Sequence, residues 1–276
     1  MNDIEKFNLN DGTFIRYKKT GAGKPILLLH TFRNRLEYSD NLSQILKKKY
    51  TVYSLDLPGF GDSPINTSTN YDIDFFTNSI VEFIKSLKLN DLIIAGESTG
   101  GILPVTISSK IPKKIKKIYL FNPYDYDSYF GEGISRGNFF AKFILFHVGL
   151  PIVGNLFSSL ENKFILKNIM SGGFYDSKKL ENSYLDLLCK SLKKKGYVYH
   201  FRNVLFNLKK FSQAKNIYEK NKTPVKLIYG SDDWANTLNR QDTQKMLGLE
   251  KYEVIQNCGH FSFQEKSKEV SKILSS

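Results

Sequence analysis

Ser98 lies in the run Gly96-Glu97-Ser98-Thr99-Gly100, directly after the apolar stretch Leu92-Ile93-Ile94-Ala95 and directly before residues that can wind into a helix. A serine hydroxyl is a weak nucleophile at neutral pH and needs a base beside it. A sharp strand-to-helix turn would expose the hydroxyl, and glycines at 96 and 100 remove side chains that would collide with neighbouring backbone. The same turn puts the N–H of Thr99 and the positive end of the next helix where charge growing on a bound carbonyl oxygen can be held. His260, in Asn257-Cys258-Gly259-His260, is the candidate base. With an ordinary pKa of about 6.5 an imidazole is mostly neutral at pH 7 and can take the serine proton, then return it to a leaving group. A carboxylate that orients the imidazole is expected in Tyr229-Gly230-Ser231-Asp232-Asp233, where two adjacent aspartates compete.

These residues need a scaffold that brings distant loops together. Strand signals fall at Lys6 to Leu9, Thr13 to Lys18, Pro25 to His30, Thr51 to Asp56, Asp91 to Ala95 and Ile115 to Asn122, and return at Pro224 to Tyr229 and Lys251 to Gln256. Helical spacing of apolar residues marks Glu37 to Lys48, Asp72 to Leu87, Asn239 to Leu247 and Ser262 to Leu274. The alternation predicts an α/β sheet whose later strands are parallel. Between Pro123 and Asn221 the strand signal lapses into an aromatic, glycine-punctuated, mostly helical pattern, which reads as an insertion. The expected division is a core of 1–123 with 222–276, and an inserted helical unit of 124–221. Each of Ser98, the two aspartates and His260 then follows a strand, in the chain order serine, acid, histidine.

Taken together, Leu28-Leu29-His30, the run Leu55-Asp56-Leu57-Pro58-Gly59-Phe60-Gly61-Asp62-Ser63, the turn at Ser98, and the loops holding Asp233 and His260 resemble the α/β-hydrolase superfamily, in particular its cap-bearing serine esterase and lipase-like branch. That resemblance implies a mostly parallel eight-stranded sheet flanked by helices, with a mainly helical cap inserted after the sixth strand. It implies a catalytic set of Ser98, Asp233 and His260, because the family places its acid where Asp233 stands. Asp232 is then a turn residue. The backbone N–H groups of Phe32 and Thr99 are implied as the oxyanion hole, although Thr31 stands where the family has glycine. The segment Asp56 to Ser63 reads as scaffold beside the site. Phe139, Phe140, Phe143 and Phe146, in the inserted unit, are expected to shape an apolar substrate pocket. The resulting expectation is a cofactor-free hydrolase of a small to medium apolar carboxylic ester. Carbon–carbon bond hydrolysis, lactone opening, acyl transfer, peracid formation and a receptor that keeps the triad without turnover are the alternatives, since fold and triad do not fix the substrate.

Composition narrows the rest. A chain of 276 residues with 41% hydrophobic content can bury a large core. Two cysteines, Cys189 and Cys258, are too few for a disulfide framework, and the start shows no basic and apolar leader, which together suit a reducing cytoplasm. The net charge of +13 comes from lysines spread in short runs without a nucleic-acid motif, so nucleic acid is not an expected partner. Phe139 to Phe157 is the most apolar window, but it is too interrupted for a span of about 20 residues, leaving shallow contact with a lipid surface as the only membrane expectation. Dinucleotide, phosphate-loop and metal-ligand spacings are absent from the sequence, so neither cofactor nor metal is expected.

Overall fold

The computed structural model describes residues 4–127 and 131–276. Eight strands form one sheet: β1 (Ile4–Asn8), β2 (Phe14–Thr20), β3 (Lys24–Leu29), β4 (Tyr50–Leu55), β5 (Leu92–Glu97), β6 (Ile115–Phe121), β7 (Val225–Gly230) and β8 (Glu253–Ile255). Their order across the sheet is β1-β2-β4-β3-β5-β6-β7-β8, with β2 antiparallel to both its neighbours and every other pairing parallel. Parallel strands need crossover connections, and the helices of those crossovers cover both faces. This is why β5 reads as an unbroken apolar run: all six of its residues are buried.

Alternate residues serve opposite layers. On one face Leu92 and Ile94 pack with α2 (Ile73–Ser86) and α3 (Thr99–Lys110), whose contributions include Phe76, Phe83 and Ile102. On the other, Ile93 and Ala95 pack with Leu42 of α1 (Asp40–Leu46) and with Val270 and Leu274 of the C-terminal helix. The start of α2 is fixed by Asp72, whose side chain accepts a hydrogen bond from Phe75 N at 3.0 Å. Its apolar stripe at Phe76, Ile80, Phe83 and Ile84 then faces the sheet.

Between β6 and β7 the described chain contains helices and no strand: α4 (Glu132–Gly137), α5 (Phe139–Gly149), α6 (Val153–Ser159), α7 (Lys163–Ser171), α8 (Asn182–Leu192) and α9 (Tyr197–Gln213). This is the cap after the sixth strand. Three helices complete the core: α10 (Thr237–Met246), α11 (Ser262–Glu265) and α12 (Ser267–Ser275). The sequence suggests one helix over Ser262 to Leu274, but Lys266 at φ −134°, ψ 41° leaves the helical region and breaks it in two. Among the described residues no helix is long and apolar enough to cross a membrane.

The Asp56 to Ser63 segment is held as scaffold. The buried Asp56 carboxylate pairs with Arg16 and accepts from the N–H groups of Leu36 and Asp62, each at 2.7 Å. His30 closes β3 in the same way. Its Nδ1–H donates to the Thr31 carbonyl at 2.7 Å and its Nε2 accepts from Leu57 N at 3.0 Å. Burial pushes this imidazole down to about 4, so it is neutral and serves as a strut.

Candidate active site

The turn after β5 holds Ser98 at φ 59°, ψ −122°, a left-handed backbone that a serine adopts only under constraint. The constraint is visible. A Cβ at Gly96 would overlap the Gly100 carbonyl, and one at Gly100 would overlap the carbonyls of His30 and Leu29. Ser98 N donates to Phe121 O at 3.0 Å, while Ser98 O accepts from Gly101 N at 2.9 Å and Tyr124 N at 3.1 Å. The turn is thus clamped between the ends of β3, β5 and β6, with two glycines making room for the crossing backbones.

His260 arrives on the loop after β8. Its Nε2 lies 2.8 Å from Ser98 Oγ, and its Nδ1 is hydrogen-bonded to Asp233 Oδ1. An ionised carboxylate only accepts, so the proton sits on Nδ1 and leaves Nε2 free to accept from the serine hydroxyl. The imidazole and the Asp233 carboxylate are both fully shielded from solvent. Asp233 Oδ2 accepts from Ala235 N at 2.9 Å, which fixes the carboxylate's rotation. Asp232 points elsewhere: it is exposed and its carboxylate accepts from Ser231 Oγ at 2.5 Å. Cys258, two residues from the imidazole, is buried packing.

Four neighbours escape a reading of local sequence. The indole of Trp234, the only tryptophan, stacks on the His260 ring with centroids 3.9 Å apart and planes 14° from parallel. Its Nε1–H donates to Gly172 O of the cap at 2.9 Å. Asn122, after β6, donates from Nδ2 to His260 O at 3.0 Å and accepts at Oδ1 from Gly230 N at 2.7 Å, so one amide ties two strand ends to the histidine loop. Glu97 is buried beneath the turn, where it accepts from the Tyr38 and Ser262 hydroxyls and from Phe263 N at 3.2 Å. Burial raises its carboxyl to about 8 despite those donors. Arg33, lastly, sits at φ 65° in the loop after β3 and forms a buried ion pair with Glu161 of the cap. Trp234 directly follows Asp233 and Glu97 directly precedes Ser98, but the local sequence gives the partners of neither.

A narrow, mostly apolar cavity of about 30 Å³ adjoins Ser98. Thr31, Phe32, Arg33 and Thr99 form its core side. Thr99 is the first residue of α3, so its N–H lacks a partner within that helix. Thr31 itself does not take a left-handed backbone. That conformation falls two residues later, on Arg33. The Phe32 ring stacks on Phe201 of α9 at 5.8 Å and 12°.

The cap side corrects the expected pocket lining. Phe139, Phe143 and Phe146 recur at helical spacing on one face of α5, and that face turns to solvent, with exposures of 82%, 48% and 66%. Phe140 is half-buried against Phe164, not against the cavity. From α5 the cavity receives Ile144 and Leu145 instead, joined by Ile134, Ile169 and Phe201 from three other cap helices. The cause is geometric: Ala141, Leu145 and Val148 make the buried stripe of α5, so residues on the opposite face cannot reach the core. Among the described residues no group of three His, Cys, Asp or Glu side chains is placed to hold a metal ion.

Comparison with known proteins follows the same lines. Lipase 1 of Psychrobacter immobilis is 29% identical over 123 residues, covering 43% of this chain and 38% of that lipase, so the match spans well under half of the relative's length. Epoxide hydrolase 4 of Mus musculus is 25% identical over 238 residues, covering 81% of this chain and 64% of that protein. Among solved structures, Cfl2 from Burkholderia cenocepacia superposes with a TM-score of 0.81 at 14% identity, over 99% of this chain and 94% of Cfl2, a likeness of fold. The family model described as alpha/beta hydrolase fold matches residues 24–267. With that match across most of its length, on top of the sheet order and the turn at Ser98, the chain belongs to the α/β-hydrolase fold family.

Proposed function

We propose that this protein is a serine hydrolase that cleaves a carboxylic ester through an acyl-enzyme on Ser98. The observation that carries the reading is the hydrogen-bonded relay from Ser98 Oγ through His260 to Asp233, shielded from water and opening on an apolar cavity. The names of relatives as lipases and hydrolases agree with it at the level of a hydrolase.

In the first half-reaction Ser98 Oγ adds to the ester carbonyl carbon as its proton passes to His260 Nε2. Asp233 stabilises the resulting imidazolium, and the Trp234 face adds a cation–π attraction of about 0.5–2 kcal/mol. The N–H groups of Thr99 and Phe32 hold the oxyanion. Collapse expels the alkoxide, which takes the proton from Nε2 and leaves as the alcohol. Water then adds to the acyl group with His260 again taking the proton, and the carboxylic acid leaves as Ser98 recovers its own.

The cavity beside Ser98 is narrow, and substrate entry is assigned to a shift of the cap that widens it. The residues 124–221 are accordingly assigned as a lid on the core of 1–123 and 222–276. Small to medium apolar acyl groups suit the Ile, Leu and Phe side chains that roof the cavity. The substrate is a free small molecule, and the chemistry calls for no cofactor.

The test pairs covalent labelling with turnover. Wild-type protein should react with a fluorophosphonate probe and hydrolyse short p-nitrophenyl esters, and Ser98→Ala should lose both with its melting temperature nearly unchanged. Labelling that persists in Ser98→Ala refutes the assignment of the nucleophile. A labelled protein that turns over no ester refutes the ester reading alone.

A further inference from the structure

We propose that the outward face of α5, α6 and α7 is a docking surface for an anionic lipid bilayer, on which the protein sits peripherally. This reading does not depend on the identity of the substrate.

The first observation is where the apolar surface lies. Beyond the three outward phenylalanines of α5, exposure reaches 88% at Ile152, 60% at Leu156 and 68% at Phe164. Isolated apolar residues on a surface are ordinary. Here they are joined: the His147 ring lies 4.3 Å from that of Phe143 and 4.5 Å from that of Phe157, while Phe140 meets Phe164 edge-on at 6.2 Å. These contacts join α5 to α6 and to α7, so the exposed apolar side chains of three adjoining helices cluster together, a feature that marks a binding surface.

The second observation is charge. From Asn138 to Gly172 the charged side chains are Lys142, Lys163, Lys167 and the single acid Glu161. Glu161 is turned inward to Arg33, with its side chain 5% exposed. Lys163 engages Asp186 of α8. Lys142 and Lys167 are exposed at helical spacing from Phe139, Phe146 and Phe164, so the charges set among these apolar groups are positive, on a chain of net charge +13. A second copy of the chain fits poorly, because a two-fold contact through this face would bring its lysines against their own equivalents. Phosphate headgroups above acyl chains match both features at once: the lysines meet the anionic layer and the phenylalanines enter the boundary below it.

The test is vesicle flotation of the full chain. Vesicles of phosphatidylcholine with phosphatidylglycerol should carry the protein up the gradient, and vesicles of phosphatidylcholine alone should carry much less. Phe139→Ser/Phe146→Ser, at positions that contribute nothing to the core, should weaken binding by about tenfold or more while melting as wild type does. Lys142→Glu/Lys167→Glu should weaken binding to the anionic vesicles and remove its salt dependence. Hydrolysis of a water-soluble ester should be the same in all variants. The proposal is overturned by absence of binding to either vesicle, or by binding that both double substitutions leave intact. It is equally overturned by a dimer in lipid-free solution that Phe139→Ser/Phe146→Ser dissolves.

Discussion

Two adjacent aspartates follow β7, and backbone direction alone separates their roles. Asp233 turns inward, anchored by Ala235 N, and meets His260 Nδ1, while Asp232 lies exposed against Ser231. Asparagine at 233 keeps the shape but can donate to Nδ1, which places the imidazole proton on Nε2 and blocks acceptance from Ser98. Asp233→Asn should therefore lower kcat by about 10⁴-fold with little change in KM. Asp232→Asn should leave kcat near that of wild type, and steady-state kinetics on one ester would read both. A reversal of the two effects would remove Asp233 from the relay. Ser98 and His260 are legible in sequence because each rests on a short local signal, a glycine-flanked turn or a loop after a strand. Trp234, Asn122 and Glu97 are not, since their partners come from packing between segments far apart in the chain: Asn122 meets a residue 138 positions away.

At the scale of elements, the buried pair of Arg33 and Glu161 is one of the ties between the loop after β3 and the cap, beside the hydrogen bonds of Asn34 and Arg35 to α8. The Arg33 guanidinium also lies 4.8 Å from the Phe201 ring of α9, and Tyr197 of the same helix donates its hydroxyl to Glu161. Removing one charge from such a pair leaves the other buried without compensation, whereas removing both does not. Glu161→Gln should cost about 3 kcal/mol, or about 10 °C of melting temperature for a chain of this size. Arg33→Met/Glu161→Gln should recover much of that loss, and thermal unfolding of the four members of the cycle would measure the coupling. Simple additivity would mean that the pair does not tie cap to core. The strands were readable because buried parallel strands leave unbroken apolar runs bounded by turn residues. The cap was readable as helical but not in its facing. Phe139, Phe140, Phe143, Ile144, Leu145 and Phe146 surround α5 with apolar groups, so periodicity names no inward side, and only contact with the rest of the cap selects Leu145 over the phenylalanines.

For the whole molecule, net charge is plain in the sequence, but the response of stability to pH is set by groups whose burial the sequence does not reveal. Burial raises Glu97 to about 8 and Asp127 to about 7, and it lowers His30 to about 4 and His200 to about 3. The folded state thus holds carboxyl protons that the unfolded chain releases above its ordinary values of 4.5 and 3.8, so their contribution falls as pH rises towards 8. The histidines act oppositely. The unfolded chain takes up their protons below 6.5 and the folded state does not, so stability also falls as pH drops from 6.5 towards 3. Between 4.5 and 6.5 the two trends offset each other, and stability should peak there. Between 6.5 and 8 the carboxyls set the trend, with Asp127 finished near 7 and Glu97 carrying the decline to 8, where Lys194, held down to about 8 by burial, begins to act in the opposite sense. Glutamine at 97 mimics the protonated acid and keeps the shape that Tyr38, Ser262 and Phe263 surround. Melting temperature should therefore fall from pH 6.5 to 8 in the wild type and stay nearly flat from pH 7 to 8 in Glu97→Gln, as differential scanning calorimetry across that range would show. Parallel curves for the two proteins would mean that Glu97 is ionised in the folded state, and the alkaline decline would then belong to other groups.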